Sequence, residues 1–426
     1  MNKIVVNGKR PLYGSINIAG MKNAALPILY ATVLVKGVSR LENIPDTEDI
    51  RITYSILRSL GATVRMLSPT CAEICTDGIK AVDNVPEELV RKLRASYYLL
   101  GAGLGRYNYA HVSYPGGCAI GNDLRPIDQH MLGFEALGGR LVTENGIITV
   151  SAKDGLTAST VNFGITSVGA TVNVMLAAAL TPGTTIINKA AREPHIVDLA
   201  AYLNTCGAKI TGAGTDTIKI HGVSSLHGAE YEILPDMIEA GTYMMAVAAT
   251  GGKVEIRNIV PTHVRSVVTT LRHMGVTVEE NDTSVTVIRD PDAPLIPTSV
   301  MTMPYPGFPT DMQPQLCAVM CLAKGLSSIT EGVWGSRFQY TEELKKLGAV
   351  INVSGINAQI DGGHPLKGSE VNALDLRGGA AVVIAALAAE GCSVISRIEY
   401  IERGYDDISS KLAGVGASIK KVEYPD

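Results

Sequence analysis

Aromatic residues, blocks of like charge and long apolar runs are all scarce in this chain of 426 residues. Aromatic side chains make up 5% of it, the formal net charge is −4, and the longest apolar run, around Ala380–Ala389, is too short to span a bilayer. Without stacking residues or a basic patch, we expect neither a nucleic-acid partner nor a membrane partner. Residues Met1–Arg10 lack the apolar core of a signal peptide, so we expect none.

The seven cysteines do not form a disulfide pattern, because their number is odd and their spacing is scattered. Two pairs, Cys71/Cys75 and Cys317/Cys321, are four residues apart, but no histidine stands at zinc-finger spacing to complete a metal site. Small buried thiols are therefore the expectation for these four residues. We predict a cytoplasmic protein in a reducing compartment, with no metal and no cofactor.

The chain is rich in apolar residues and in small residues. Hydrophobic residues make up 46% of it and charged residues 18%, which predicts a large buried core and little disorder. The length suits two domains of ordinary size.

A small-residue turn recurs about every seventy residues. In each copy an apolar residue precedes a glycine, and a run that alternates in polarity follows. Glycine is typical directly after the end of a helix, where the backbone turns left-handed before a strand begins. The six glycines are Gly61, Gly138, Gly207, Gly275, Gly348 and Gly416.

A second series, of Ala-rich apolar segments, keeps the same period. Segments such as Ala170–Leu180 and Ala240–Ala249 are apolar on nearly every side, which predicts helices that are buried all round. One repeat therefore consists of a buried helix, a strand, an amphipathic helix, a glycine turn and two strands. The apolar segments follow Lys22, Arg94, Ser167, Glu239, Asp311 and Arg377.

Six repeats predict an α/β protein with two domains. Three buried helices would form the core of each domain, with the sheets outside. We place the first domain at residues 22–233 and the second, discontinuous domain at residues 1–21 and 234–426. The N-terminal strand would then complete the last repeat.

Basic residues stand at the start of several predicted buried helices. Helix N-termini attract anions, so Lys22, Arg94, Arg377 and the N–H groups after Ser167 are candidates to bind phosphate or carboxylate groups. The alternative is that these residues only cap helices. We favour a cap for Ser167, whereas basic residues are poor caps.

Cys118 lies in a loop, Tyr114–Pro126, that proline and glycine residues interrupt. Most cysteines are inert and buried, but a thiol in a glycine-rich segment near Arg125 is a candidate for reactivity. Such a thiol can donate a proton or act as a nucleophile.

Motifs along essentially the whole chain resemble those of the UDP-N-acetylglucosamine enolpyruvyl transferases, also called UDP-N-acetylglucosamine 1-carboxyvinyltransferases. The resemblance implies two inside-out α/β domains with sixfold βαβαββ pseudosymmetry. The matching segments are Lys22–Pro27, Leu93–Ser96, Pro115–Cys118, Arg125–Asp128, Ser167–Thr171, Ala191–Pro194, Phe308–Gln313, Asp375–Arg377 and Arg403–Tyr405.

The implied activity is transfer of the enolpyruvyl group from phosphoenolpyruvate to the 3-hydroxyl of UDP-N-acetylglucosamine, with release of phosphate. This is the first committed step of peptidoglycan synthesis, which links the family to cell wall biogenesis, cell shape, the cell cycle and cell division. Members of the family are targets of the epoxide antibiotic fosfomycin, which alkylates the loop cysteine.

The resemblance also implies roles for individual residues. Cys118 would give a proton to the enolpyruvyl carbon and Asp311 would take one from the attacking hydroxyl, with Lys22 and Arg403 completing the catalytic set. The implied substrate-binding residues are Lys22, Asn23, Arg94, Arg125, Pro126, Ile127, Asp128, Gln129, Thr166, Ser167, Val168, Gly169, Asp311, Val333, Arg337, Asp375, Arg377 and Arg403.

The charges of the implied substrates agree with these roles. Both substrates are anions, which accounts for arginines and lysines in the implied site of an acidic protein. Acid and base would lie on opposite domains, so we expect domain closure to assemble the site.

Several positions depart from the family pattern. The segment from Gly121 to Arg125 is two residues longer than is common, through Asn122–Leu124. Ile165 stands in a stretch where a basic residue or proline is common, and Met237 stands where arginine is common. These differences indicate a divergent copy, such as a second paralogue.

Three other functions stay open: enolpyruvyl transfer to shikimate 3-phosphate, transfer to a different sugar nucleotide, and a non-catalytic regulator that binds a sugar nucleotide. The Pro-Gly-Gly-Cys motif ending at Cys118 argues against the first. Gly101–Gly105 resembles a dinucleotide fingerprint but ends a predicted helix instead of following a strand. His111 and His195 are expected to be structural, and Trp334 either lines the site or packs.

Overall fold

The structure, a computed structural model, describes residues 2–114, 116, 127–335 and 337–423. Contacts divide these residues into two compact units. The first compact unit contains the described residues from 20 to 234. The second combines residues 2–19 with the described residues from 235 to 423.

The helices fall into buried and amphipathic members that alternate along much of the chain. In chain order the α-helices of the described residues are α1 (Lys22–Ala31), α2 (Glu48–Ser59), α3 (Glu87–Val90), α4 (Tyr98–Tyr107), α5 (Asp128–Ala136), α6 (Val168–Ala178), α7 (Pro194–Thr205), α8 (Met237–Thr250), α9 (Arg265–His273), α10 (Gln313–Met320), α11 (Thr341–Lys346), α12 (Leu376–Ala388), α13 (Glu399–Glu402) and α14 (Ile408–Gly414). Short 3-10 turns are found at Thr32–Leu34, Arg94–Tyr97, Pro261–Val264 and Thr310–Met312.

The strands are short, and most belong to small sheets. In chain order they are β1 (Asn2–Asn7), β2 (Leu12–Asn17), β3 (Val35–Lys36), β4 (Val38–Glu42), β5 (Thr63–Ser68), β6 (Cys71–Cys75), β7 (Tyr109–Ser113), β8 (Arg140–Glu144), β9 (Ile147–Ser151), β10 (Thr160–Asn162), β11 (Thr184–Asn188), β12 (Lys209–Thr211), β13 (Thr217–His221), β14 (Leu226–His227), β15 (Glu230–Glu232), β16 (Gly252–Arg257), β17 (Thr277–Glu280), β18 (Ser284–Arg289), β19 (Ser299–Met301), β20 (Gly325–Thr330), β21 (Val350–Ser354), β22 (Asn357–Gly362), β23 (Glu370–Asn372), β24 (Cys392–Ser396) and β25 (Ser418–Glu423).

Six sheets are found within the described ranges, five of which follow one four-stranded plan, and β3 and β14 form a separate two-stranded pair. In five of the six, an edge strand runs parallel to the strand that follows a buried helix, and two antiparallel strands complete the sheet. The five orders are β15-β4-β6-β5, β10-β11-β13-β12, β2-β16-β18-β17, β19-β20-β22-β21 and β23-β24-β1-β25, and the sixth sheet is β7-β9-β8. The predicted α/β fold with sixfold βαβαββ repetition is confirmed. Strand β1 pairs with both β24 and β25, so the N-terminal strand completes the last repeat.

All six glycines of the repeating turn have the predicted left-handed backbone, with φ between +82° and +106°. At the first of them, the Gly61 N–H donates to the Arg58 carbonyl and the Ala62 N–H donates to the Leu57 carbonyl, both at 3.0 Å. The same pair of bonds closes α5, α7, α9, α11 and α14 before the next strand begins. A residue with a Cβ would be strained at such φ values, which explains why glycine recurs there.

The predicted buried helices form the cores. Every residue of α8 is buried, as are Ala170–Ala178 of α6 and Arg377–Ala388 of α12. Helix α4 packs on α1 and α6, while α8, α10 and α12 pack on one another. Close approach of α4 to α6 depends on glycine, since a Cβ at Gly101 would lie 2.4 Å from the Asn173 carbonyl oxygen. The Gly101–Gly105 segment is therefore a packing surface inside a helix.

The expectation of four buried thiols holds for Cys317 and Cys321, but it is wrong for Cys71 and Cys75, which are partly exposed. Burial alternates along β6, with Ala72 and Ile74 facing inward and the cysteines facing the other side of the sheet. Among the described residues, the helices are too short and insufficiently apolar to cross a membrane.

Candidate active site

Asp311 lies in the 3-10 turn before α10 and is clamped by two arginines of the second compact unit. Its Oδ1 is 2.9 Å from Nη2 of Arg337, and its Oδ2 is 3.3 Å from Nη2 of Arg377. The arginine side chains are 8% and 3% exposed, whereas the Asp311 side chain is 30% exposed. The carboxylate therefore remains open to solvent on one side while buried cations fix its orientation.

Arg377 is positioned by the start of α12. The Asp375 side chain caps this helix, with Oδ1 accepting hydrogen bonds from the N–H groups of Arg377 and Gly378, both at 2.9 Å. The Arg377 guanidinium lies over the Tyr405 ring, 5.4 Å from its centroid. Its Nε and Nη1 atoms are buried without a hydrogen-bond partner, so this cation retains unused donors.

Electrostatics keep Arg377 charged in spite of its burial. Burial lowers the pKa of Arg377, but Tyr405, Asp311 and Asp236 more than offset this, so the pKa lies above its ordinary value. Burial also raises the pKa of the Tyr405 hydroxyl, which stays neutral. The cluster therefore holds the charged Arg377 guanidinium against the ring of a neutral Tyr405.

Polar side chains from two helices of the second compact unit converge on the Tyr405 hydroxyl. Its hydroxyl lies 2.9 Å from Thr242 Oγ1 of α8. Gln315 Nε2 of α10 donates to Tyr405 and Thr242 at 3.2 Å, and to the Asp311 carbonyl at 3.0 Å. Sequence reasoning missed Thr242 and Gln315. The available signal was that Gln315 lies one helical turn after Asp311, on the same face.

Val333 lies on an exposed turn that the buried carboxylate of Glu331 holds. The N–H groups of Val333 and Trp334 donate to Glu331 Oε1 at 2.9 and 3.2 Å. Glu331 Oε2 accepts a hydrogen bond from Thr310 Oγ1 at 2.9 Å, and Arg337 Nη1 donates to that hydroxyl at 2.8 Å. The structure thus joins Asp311, Arg337, Arg377, Asp375 and Val333 into one network. Arg403 follows α13, partly buried, two residues before Tyr405.

In the first compact unit, Lys22 begins α1 and forms a buried ion pair. Its Nζ lies 2.8 Å from Asp49 Oδ2 in the first turn of α2, and the side chains are 8% and 4% exposed. The structure thus gives Lys22 a buried partner on α2, and its role in binding an anion stays a prediction. Asn23, the next residue, is partly exposed.

Arg94 and His130 lie close to each other in the first compact unit. The Arg94 guanidinium lies over the Tyr97 ring at 5.1 Å, and the His130 ring lies 5.6 Å from the same ring. Burial, together with the positive charge of Arg94, lowers the pKa of His130 to about 4. Burial likewise lowers the pKa of Arg94.

His130 is neutral near pH 7 and connects α5 to α6. Its Nδ1 accepts a hydrogen bond from Asn173 Nδ2 at 2.8 Å, which leaves the proton on Nε2. A Cβ at Gly169, in the first turn of α6, would lie 3.0 Å from that Nε2. Sequence reasoning missed His130, although it lies two residues after Asp128 in the same helix.

The predicted diphosphate-binding residues lie at the N-terminus of α6. Ser167 caps the helix as expected, since its Oγ accepts from the Ala170 N–H at 3.3 Å. Thr166 is exposed, while Val168 and Gly169 are partly exposed. Gln129 Oε1 accepts from the Gly164 N–H at 2.8 Å, and Gln129 Nε2 donates to Asp128 Oδ2 at 3.0 Å. These bonds tie the start of α5, just after Ile127, to the segment before α6.

Three predicted site residues, Cys118, Arg125 and Pro126, lie outside the described residues. Of the remaining ones, the structure places Asp311, Val333, Arg337, Asp375, Arg377 and Arg403 in the second compact unit. It places Lys22, Asn23, Arg94, Ile127, Asp128, Gln129, Thr166, Ser167, Val168 and Gly169 in the first.

Comparison with known proteins reveals similarity over nearly the full length. Residues 6–412 match the family model described as EPSP synthase (3-phosphoshikimate 1-carboxyvinyltransferase). The chain is 48% identical over 423 residues to a UDP-N-acetylglucosamine 1-carboxyvinyltransferase of Clostridium botulinum, covering 99% of this chain and 100% of that protein. It is 45% identical over 425 residues to the protein of the same description from Trichlorobacter lovleyi, covering 100% of both.

Solved structures share the fold. The crystal structure of the enolpyruvyl transferase NikO from Streptomyces tendae superposes with a TM-score of 0.88 at 26% identity, covering 100% of this chain and 99% of that chain. An EPSP synthase from Acinetobacter baumannii gives a TM-score of 0.76 at 18% identity, covering 99% of this chain and 100% of that chain. The second likeness concerns the fold alone.

Proposed function

The chain belongs to the UDP-N-acetylglucosamine 1-carboxyvinyltransferase family of enolpyruvyl transferases, and on that premise we propose that it transfers enolpyruvyl from phosphoenolpyruvate to the 3-hydroxyl of UDP-N-acetylglucosamine. Phosphate is the other product. The sequence identity of 48% over nearly the whole chain supports this acceptor. The observation that carries the chemistry is Asp311, an accessible carboxylate oriented by two buried arginines.

Asp311 acts as the base that takes the proton of the attacking hydroxyl. A general base must be accessible and fixed in orientation, and a carboxylate with a 30% exposed side chain held by Arg337 and Arg377 meets both conditions. Its oxygens remain acceptors, since each has further lone pairs beyond the arginine contact.

The cations of the site bind the anionic groups of the substrates. They also stabilise the charge that develops when C2 of phosphoenolpyruvate becomes tetrahedral. Arg377 supports this role through two buried nitrogens, Nε and Nη1, that have no hydrogen-bond partner. Arg337, Arg403 and Lys22 contribute further positive charge, and Asn23 contributes a neutral amide.

The nucleotide half of the acceptor binds to residues of the first compact unit. The N–H groups at the start of α6, between Thr166 and Gly169, take the diphosphate, because a helix N-terminus favours anions. Arg94, Arg125, Pro126, Ile127, Asp128 and Gln129 complete this binding set, and Val333 and Asp375 are further proposed substrate-binding residues.

Cys118 gives a proton to the enolpyruvyl carbon. In the addition step, the acceptor oxygen bonds to C2 of phosphoenolpyruvate, C3 gains a proton from the Cys118 thiol, and Asp311 gains the hydroxyl proton. In the elimination step, the bond from C2 to the phosphate oxygen breaks, C3 returns a proton to the Cys118 thiolate, and Asp311 passes the hydroxyl proton to the departing phosphate. No cofactor is needed for this balance.

The cellular role follows from the reaction. The enzyme acts in the cytoplasm, where it commits UDP-N-acetylglucosamine to peptidoglycan synthesis and so supports cell shape and division. Fosfomycin alkylates Cys118. The departures at Ile165 and Met237 support a second paralogue of the family.

A phosphate-release assay with phosphoenolpyruvate and a panel of acceptors tests the proposal. We expect turnover with UDP-N-acetylglucosamine and loss of turnover in Cys118→Ala. Turnover only with another sugar nucleotide or with shikimate 3-phosphate would reassign the acceptor. Sugar-nucleotide binding without any turnover would mean a regulator instead of an enzyme.

Fosfomycin provides an independent test of Cys118. After incubation with the sugar nucleotide and fosfomycin, mass spectrometry should show one adduct, on the peptide that contains Cys118. An unmodified Cys118 peptide contradicts the proposed reactivity.

A further inference from the structure

Glu331 is a buried carboxylate that neutral donors satisfy. It lies directly after β20, is 1% exposed, and has no ion pair with a cation among the described residues. Its oxygens accept from Thr302 Oγ1 at 2.6 Å, Thr310 Oγ1 at 2.9 Å, and the Val333 and Trp334 N–H groups at 2.9 and 3.2 Å. A buried charge is costly unless it is well hydrogen-bonded, so this arrangement requires an explanation.

The two oxygens of Glu331 serve two different segments. Oε1 accepts from Thr302 and from the turn that carries Val333. Oε2 accepts from Thr310, the residue before Asp311. One carboxylate therefore ties the exposed Val333 turn to the 3-10 turn that carries the proposed base.

The direction of the bonds through Thr310 follows from the chemistry of the groups. A carboxylate only accepts, so the Thr310 hydroxyl donates to Glu331, and its oxygen then accepts from Arg337 Nη1 at 2.8 Å. The same guanidinium donates through Nη2 to Asp311 Oδ1 at 2.9 Å. The chain of bonds runs from Arg337 through Thr310 to Glu331, and each bond polarises the next.

We propose that Glu331 is a positioning residue of the proposed reaction, and that it acts through the Thr310 hydroxyl to fix Arg337 and, through Arg337, Asp311. This inference rests on the proposed function. Glu331 itself is buried and does not need to contact substrate. Its negative charge balances part of the Arg337 charge, so that Arg337 can hold Asp311 with one nitrogen and Thr310 with another.

The variant Glu331→Gln tests the direction of the hydrogen bonds from Arg337 through Thr310 to Glu331, which we call the relay. The amide oxygen can replace Oε1 and keep the Val333 turn, but the amide nitrogen then faces Thr310 and donates to it. The Thr310 hydroxyl hydrogen loses its acceptor, and Arg337 loses the electrostatic attraction of the Glu331 carboxylate. We expect kcat for phosphate release to fall about 10–100-fold because the catalytic groups are misplaced, and the KM for the sugar nucleotide to change much less than kcat.

Thr310 variants show whether the effect passes through the hydroxyl. Thr310→Val should lower kcat as Glu331→Gln does, and Thr310→Ser should restore it. The double variant Glu331→Gln/Thr310→Val should be no slower than the slower single variant, because both changes interrupt the same relay. Multiplicative losses in the double variant, or a Thr310→Ser enzyme as slow as Thr310→Val, overturn the proposal.

Glu343→Gln is the matched control. Glu343 is another buried carboxylate of this compact unit, and it accepts from the Asn372 N–H at 2.9 Å and pairs with Lys346. This change should destabilise the protein without lowering kcat. Fluorescence of Trp334, the single tryptophan, reports whether the Val333 turn is retained in each variant.

A crystal structure of Glu331→Gln separates failure of this inference from failure of the proposed function. If the wild type turns over but Glu331→Gln is equally fast, the relay is wrong and the function stands. If the wild type shows no turnover with any acceptor, the proposed function is wrong, and the crystal structure alone shows whether the relay exists. We expect Arg337 Nη1 to leave Thr310 in the variant, and an unmoved Arg337 overturns the relay.

Discussion

Lys22 Nζ lies 2.8 Å from Asp49 Oδ2, and the two side chains are among the most buried charged groups of the first compact unit. The pair joins the first residue of α1 to the first turn of α2. A cation that we assign to substrate binding is therefore oriented by the fold before any anion arrives. Its ammonium group has two further N–H donors beyond this contact.

Asp49→Asn should destabilise the first compact unit. The change leaves the Lys22 charge buried without its partner, and we expect the free energy of unfolding to fall by about 3–5 kcal/mol. Urea unfolding at neutral pH measures it. Lys22→Met/Asp49→Leu should recover most of the stability but not the activity, and a double variant as unstable as Asp49→Asn contradicts the assignment.

Asp311→Asn should remove the base without removing substrate binding. An amide cannot take the hydroxyl proton, so we expect kcat for phosphate release to fall about 10²–10⁴-fold. Calorimetric titration should still detect the sugar nucleotide. Retention of more than a tenth of the wild-type kcat would assign the base to another group.

His130 should make the protein less stable in mild acid. Its pKa is about 4 in the folded protein and about 6.5 in an unfolded chain, so the unfolded state binds more protons between these values. Stability from neutral His130 is present above pH 6.5 and is lost as the pH falls toward 4, by up to roughly 3 kcal/mol. Urea unfolding from pH 7.5 to pH 4.5 measures this loss.

The control for His130 must allow for Asp198, which titrates in the opposite sense. Burial raises the pKa of Asp198 to about 6, so its contribution to stability is present at low pH and is lost as the pH rises through 6. The informative quantity is therefore the difference between wild type and His130→Gln at each pH. If that difference does not change with pH, His130 does not carry the acid sensitivity.

Gly101→Ala should destabilise the contact between α4 and α6. Alanine is the better helix former by about 1 kcal/mol, but its Cβ would lie 2.4 Å from the Asn173 carbonyl oxygen. Thermal unfolding should therefore show a lower Tm. Gly414→Ala is the control, because the helical Gly414 has no atom within 4 Å of its Cβ position and the change should be neutral or stabilising. A Gly101→Ala protein as stable as wild type would mean that α4 and α6 can separate at no cost.

The repeat was readable from sequence because each copy depends on local chemistry. A glycine such as Gly61 is required by its own backbone angle, and a helix such as α8 is apolar along its own length. These signals need no partner from elsewhere in the chain. The sixfold fold could therefore be predicted.

Partners distant in sequence could not be predicted in the same way. Asn173 lies 43 residues from His130, and Thr310 lies 21 residues from Glu331. Periodicity indicates that a residue is buried but not which polar group it meets. The predicted burial of Cys71 was wrong for a different reason. The apolar character of a thiol suggested burial, but the alternation of side chains along β6 directs Cys71 outward.

The pairing of strand β1 determines which of the two compact units can finish folding first during synthesis. Asn2–Asn7 pair with Ser418–Glu423, so strand β1 waits for a segment far along the chain to be synthesised before its sheet is whole. The first compact unit has no such dependence, since its described residues lie between 20 and 234. Nascent chains can therefore finish that unit early, while β1 lacks its partner Ser418–Glu423 until that segment has been synthesised.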